Sequence, residues 1–240
     1  MMTKKVSRIL RVFPQGSTAP CLVETEGGEL FVMKLSGAGP GPRALLTEFL
    51  ASRIASRIGL RVPAVSVLEL AADFPWQVGT DEFDATIQRS AGPNLGLQFM
   101  ADAEPIQPDE LGSLPPDFLA CLLVVDRLLQ NVDRTAANPN LLRSTDGLVW
   151  AIDHNACLFL ERIARRRLPY DFRLPAGHFL ASASLPGGKR ANRLATLDGD
   201  FLMDIAATSP PAWLAAIGFS ATELGEGLVA YVEAFRQAES

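Results

Sequence analysis

Asn131-Val-Asp-Arg-Thr-Ala-Ala-Asn-Pro-Asn-Leu-Leu-Arg143, then Ser144-Thr-Asp-Gly147, then Leu148-Val-Trp-Ala-Ile-Asp-His154, is the stretch on which the fold turns. Its short apolar runs flank residues that favour a turn, the pattern of a β-hairpin. If residues 144–147 all form the loop, Arg143 pairs with Leu148 and Asn138 stands opposite Asp153. If only Asp146 and Gly147 form it, Asn140 takes that place instead. Either register brings an amide oxygen and a carboxylate to the open end of a ribbon, with Asp133 on the loop leading into it.

Upstream, residues 7–34 set β-branched and aromatic residues between turn signals and read as an antiparallel meander ending in Leu30-Phe-Val-Met-Lys34. Residues 43–58 carry Leu45, Phe49, Ile54 and Ile58 at helical spacing, and Gly59 suits the C-cap. Residues 62–70 and 85–88 read as further strands, before Ser90-Ala-Gly-Pro93 breaks the pattern. The chain is divided there, into an N-lobe of residues 1–90 and a C-lobe of residues 91–240. Residues 105–116 are loop-like, and Asp117 is expected to cap an apolar helix over residues 118–130. Beyond Asp153 the pattern is mainly helical.

A chain of 240 residues, 48% of them hydrophobic, buries a substantial core, as one large domain or as two closely packed lobes. A net charge of -5 argues against a surface for nucleic acid, which needs a basic face. Cys21, Cys121 and Cys157 lie far apart and form no C-x-x-C pair, which points away from a disulfide framework or a zinc site. The N-terminal apolar stretch is too short and interrupted for a signal peptide, and no run reaches the length of a membrane span. A cytoplasmic protein without nucleic-acid or membrane partners is expected.

Phosphoryl transfer suits the residues of the hairpin. Magnesium is a hard ion that takes one or two protein oxygens and completes its shell with phosphate and water, so one Asp and one Asn suffice. Asp133 lies five positions before Asn138, the separation between base and metal-binding amide in kinase catalytic loops. A carboxylate there can orient an acceptor hydroxyl and take its proton. Lys34 ends its strand where it can reach phosphate oxygens, and Glu48 in the following helix can hold it. The Pro14-Gln-Gly-Ser-Thr-Ala-Pro20 loop offers Gly16 for close approach, and Ser17 and Thr18 for hydroxyl and N–H contacts to phosphate. Residues 84–92 are assigned to the hinge that would touch a base. His154 is expected to steady Asp153 or pack beside it, residues 161–167 to form a solvated basic helix face, and Trp76, Trp150 and Trp213 to pack in cores.

On these residues the chain resembles the HipA-like kinases, in particular the short HipA-related branch. The match is Asn131-Val-Asp-Arg-Thr-Ala-Ala-Asn-Pro-Asn-Leu-Leu142 with Ile152-Asp-His154. Gly16-Ser-Thr-Ala-Pro20, Val32-Met-Lys34, Ile58-Gly-Leu-Arg-Val-Pro63 and Gly92-Pro-Asn-Leu-Gly96 extend it. The resemblance implies an α+β, bilobed protein-kinase-like fold: a small antiparallel sheet plus one helix in the N-lobe, and a mainly helical C-lobe with a catalytic β-hairpin. It implies ATP between the lobes, magnesium as cofactor, Asp133 as base, Asn138 and Asp153 as metal ligands, and Lys34 as phosphate contact. The γ-phosphate would pass to a hydroxyl of a protein or small molecule. Thr135 stands where histidine usually follows Asp-Arg, and the glycine loop departs from the kinase form. Both motivate an alternative, a nucleotide-binding pseudokinase or interaction module without turnover. The extra N-terminal subdomain of the longer HipA toxins, and their antitoxin pairing, are not expected.

Overall fold

Strands β1 (Lys4–Val12), β2 (Cys21–Thr25) and β3 (Leu30–Lys34) open the chain. The structure, a computed structural model, describes residues 3–13, 19–75, 80–165, 170–183 and 193–239. In β2, Cys21, Val23 and Thr25 point inward and alternate with half-buried neighbours, the period that a sheet with one face on a core imposes. The β2–β3 turn closes on Gly28, whose φ of 77° suits a residue without Cβ.

Helix α1 (Pro42–Ile58) follows, ended by Gly59 in the left-handed conformation. Then come β4 (Val65–Leu70), α2 (Asp81–Arg89) and β5 (Gly92–Gln98). The strands close a barrel in the order β1-β2-β3-β5-β4. One departure from the expected antiparallel sheet is the parallel pairing of β1 with β4, Lys4 beside Leu68 and Lys5 beside Glu69. An odd number of alternating strands leaves its two edges running the same way, so closure has to be parallel.

Residues 85–88, expected as a strand, lie in α2. Thr80 caps that helix by accepting from the Phe83 amide at 3.3 Å, and Asp81, Glu82 and Asp84 sit in its first turn, where acids favour the dipole. Phe83 and Ile87, one turn apart, then reach the apolar cluster of Val23, Phe31, Met33 and Leu68. The sheet therefore comes with two helices rather than one. It also runs past residue 90, because β5 hydrogen-bonds to both β3 and β4. Gly96 belongs to that strand for a packing reason: a Cβ there would meet Leu68 side-chain carbons at 2.7 Å.

The second sheet has the order β6-β7-β8, from β6 (Ala103–Pro105), β7 (Leu141–Ser144) and β8 (Val149–Ala151). Its hairpin register pairs Leu141 with Ala151 and Arg143 with Val149, between the two registers the sequence allowed. The turn uses Thr145, Asp146 and Gly147, with Gly147 at φ 81° and its amide donating to Ser144 O at 2.8 Å. Farther along, Ile152 N donates to Asn140 O at 2.9 Å, so Pro139, not Asn138 or Asn140, falls opposite Asp153.

Helix α3 (Pro116–Leu129) starts earlier than expected. Pro115 is its N-cap, Pro116 takes the first helical position, which needs no N–H, and Asp117 lies within the first turn. Helices α4 (Phe159–Arg165), α5 (Gly199–Ala207), α6 (Pro211–Ala215) and α7 (Ala221–Glu239) follow among the described residues. They share one large buried cluster with α1, α3 and the hairpin. Trp213 is sealed in it, edge-on to Phe49 at 5.9 Å, with its indole N–H donating to Pro93 O at 3.1 Å. Trp76 and residues 166–167 lie outside the described residues. All three cysteines are free and buried. Among the described residues no helix is long and apolar enough to cross a membrane.

Candidate active site

Lys34 leaves the end of β3 pointing into the protein, with only 7% of its surface exposed. Such burial is costly for a cation without partners, and here it has two. Its Nζ donates to Glu48 Oε2 at 2.5 Å and to Asp153 Oδ1 at 2.8 Å. Glu48 sits on the buried face of α1, between Leu45 and Phe49, and is fully enclosed. Asp153 follows β8 with φ at 57°, a left-handed conformation that aspartate tolerates better than most residues but still at some strain.

The electrostatics of this trio are uneven. Burial works to lower the Lys34 pKa, but the charges of Glu48 and Asp153 outweigh it and hold the lysine above its usual value. For Asp153 burial pushes upward, and Lys34 reverses this to leave the carboxyl below its usual range. Glu48 goes the other way. Its burial, aided by the Asp153 charge, prevails over Lys34 and raises its pKa, and its Oε1 is buried with no hydrogen-bond partner.

A cavity of about 460 Å3 opens beside the trio, with Lys34, Glu48 and Asp153 in its wall. Val32 and Leu97 of the barrel line it together with Leu142 of the second sheet and Ile152 just beyond it, so it spans the two sheets. Gln98, Phe99 and Met100 contribute to it as well. Residues 84–92, assigned to a base-contacting hinge, instead form most of α2 and the start of β5 and do not line the cavity.

The loop ahead of the hairpin brings Asp133, Asn138 and Asn140 together. Asp133 Oδ2 accepts from Asn138 Nδ2 at 3.0 Å and from Asn140 Nδ2 at 3.3 Å. Thr135 folds the loop: its amide donates to Asn138 O at 3.1 Å, and its hydroxyl accepts from Asn138 N at 3.1 Å. Asn138 and Asp153 are thus held in separate hydrogen bonds, one to Asp133 and the other to Lys34. Gly16, Ser17 and Thr18 lie outside the described residues. Between the described ends of β1 and β2, Phe13 N donates to Pro20 O at 3.0 Å.

Beneath this loop lies a group that the sequence reading passed over. Arg134 is fully buried, and every one of its nitrogens has an acceptor. Nε donates to Asp126 Oδ2 at 2.8 Å, and Nη1 to the carbonyls of Pro139 and Asn140, each at 2.8 Å. Nη2 faces Ile152 O at 3.5 Å and His154 Nε2 at 3.4 Å. Because arginine only donates, His154 Nε2 is the accepting nitrogen. Burial, then the Arg134 charge, drives the His154 pKa down to about 3, so the ring is neutral. The available signal was Asp126, an acid in the middle of the otherwise apolar run Leu119-Ala-Cys-Leu-Leu-Val-Val125 and Leu128-Leu129. A buried acid requires a buried partner.

A cation at this site would take hard oxygens from Asp153 and Asn138, and that donor set fits magnesium. Among the described residues, no group of three or more His, Cys, Asp or Glu side chains is disposed to hold a metal. Magnesium would therefore need oxygens from a second molecule, which is how it binds with phosphates.

A barrel with a buried lysine–glutamate pair, joined across a cleft to a loop-and-hairpin carrying Asp, Asn and Asp, defines a kinase-type protein. Residues 6–167 match the HipA-like kinase family, and the chain belongs to it. In fold it is similar to a Helicobacter pylori proinflammatory kinase, CtkA, with a TM-score of 0.60 at 13% identity, covering 97% of this chain and 92% of that one. A MAP kinase from Leishmania major, LmaMPK10, aligns with a TM-score of 0.30 at 12% identity, over 95% of this chain and 76% of that one. No curated protein matches the chain in sequence.

Proposed function

We propose that the chain is a bilobed, ATP- and magnesium-dependent phosphotransferase that moves the γ-phosphate to a hydroxyl of a protein or small-molecule acceptor. The observation that carries this reading is Lys34 Nζ bridging Glu48 and Asp153 in the wall of an apolar cleft. The base of ATP lies between Val32 and the Leu142–Ile152 side, with residues 98–100 as the hinge. Lys34 contacts the phosphates, Glu48 holds Lys34, and Asp153 with Asn138 holds the cation. Magnesium supplies charge neutralisation of the phosphate oxygens. Asp133, with Oδ2 occupied by two amides, keeps Oδ1 for the acceptor hydroxyl and its proton.

Magnesium with ATP at a hundredfold excess over Kd is expected to stabilise the protein by about 2.7 kcal/mol, read as a rise in Tm. Asp153→Ala abolishes the magnesium-dependent part of that rise. Asp133→Ala keeps it but stops transfer of label from γ-labelled ATP. Equal loss of binding in both variants contradicts these roles, and binding without transfer by the unmodified protein favours a pseudokinase.

A further inference from the structure

The segment after α4 returns to the catalytic loop and joins it at several points. The backbone of His178 pairs with that of Thr135 as an isolated antiparallel bridge. Phe179 N donates to Arg134 O at 3.3 Å. The His178 ring, fully buried and stacked on Phe179, sets Nε2 3.1 Å from Asp126 Oδ2. Leu180 N donates to Nδ1 at 3.0 Å, which makes Nδ1 the accepting nitrogen. Nε2 then carries the hydrogen, and it is donated to Asp126.

Two routes lead from Asp126 to Asp133. On the first, Asp126 Oδ1 accepts from Asn131 Nδ2 at 3.3 Å, while Asn131 Oδ1 accepts from the Asp133 amide at 3.1 Å. The second runs through Arg134, which shares Asp126 Oδ2 with His178 and holds the carbonyl of Asn140, whose side chain donates to Asp133. His178 is therefore one side chain, Asp126, away from Asn131, which holds the Asp133 backbone, and from Arg134, which holds the backbone of Asn140. It also lies beyond residues 6–167, the part of the chain that matches the family.

We propose that His178 is a positioning residue for phosphoryl transfer: its hydrogen bond to Asp126 fixes the loop that presents Asp133. The proper loop geometry then depends on the seating of the segment around His178. The chemical part of this proposal rests on the phosphotransferase reading above; the structural part does not.

The test compares His178→Gln with His178→Asn in the full chain. The glutamine amide nitrogen reaches the place of Nε2 and can still donate to Asp126, whereas the asparagine amide stops near the place of Nδ1. Three readouts are taken: magnesium-dependent turnover of ATP, KM for ATP, and amide hydrogen exchange of residues 133–140. His178→Asn is expected to lower kcat by about tenfold or more, leave KM for ATP within about twofold, and speed exchange in the loop. His178→Gln restores kcat to within about threefold and restores the slow exchange. Equal losses of kcat in both variants, or a rise in KM that accounts for the loss, overturn the positioning role. Wild-type protein that turns over no ATP sinks the phosphotransferase reading; the exchange contrast then still decides whether His178 holds the loop, and equal exchange in all three proteins overturns that too.

Discussion

Two buried charge clusters meet at the hairpin, and they are built to different rules. Asp126, Arg134 and His178 have side chains with no exposure at all, and every arginine nitrogen has an acceptor. Lys34, Glu48 and Asp153 set one cation between two carboxylates, with Asp153 36% exposed and Glu48 Oε1 unpartnered. The first cluster is balanced, and Arg134 keeps Asp126 below its usual pKa despite complete burial. The second sets two carboxylates against one cation, and the pKa of Glu48 is raised by its burial first and by the Asp153 charge second. A sealed cluster has to be satisfied internally, because water cannot reach it. One that lines a cleft can be left short of positive charge, because solvent reaches Asp153.

The sharpest way to break the comparison is Arg134→Met. It strands a fully buried Asp126 and releases the carbonyls of Pro139 and Asn140, so a loss of about 3–5 kcal/mol is expected in urea unfolding. A loss below about 1 kcal/mol means that the sealed cluster does not support the loop. Lys34→Met is milder, about 2 kcal/mol at neutral pH, since Asp153 can turn toward water. Its deficit relative to wild type should shrink in acid. Glu48 has a folded pKa above its usual 4.5, so the protonated acid contributes stability that is present below that pH and lost as pH rises. A deficit that is constant with pH contradicts the assigned state of Glu48.

The last effect is at His154 and appears only in acid. Its folded pKa of about 3 lies below the ordinary 6.5, so its contribution is present above pH 6.5 and lost as pH falls toward 3. Wild type should lose about 1.4 kcal/mol per pH unit in that window relative to His154→Gln, which does not titrate. Parallel unfolding profiles from pH 6.5 to 4 would rule out a neutral, buried His154.

Some of this was legible without coordinates. Helix α1 follows from Leu45, Phe49, Ile54 and Ile58 with Gly59 at its end, since spacing and a left-handed cap are local properties. The contact of Lys34 with Glu48 fits the order of strand and helix. Helix α2 was misread because Ala85-Thr-Ile-Gln88 is too short for periodicity to separate strand from helix. The hairpin register was missed because a three-residue turn with Gly147 left-handed lies between the two turns considered. Asp126 and His178 were passed over because their partners are distant: eight residues separate Asp126 from Arg134, and 52 separate it from His178.

The sequence by itself determined the chemistry available here: a lysine closing an apolar strand, a glutamate on a buried helix face, and the Asp-Asn-Asp series around a turn. Those depend on residue type and short spacing, which backbone geometry converts directly into local structure. Only the tertiary structure decided that the barrel closes through a parallel pair, that Asp153 rests on Lys34, and that His178 reaches Asp126. Each of these joins residues far apart in the chain, and burial selects such partners by charge and volume in three dimensions, with no trace left in local periodicity.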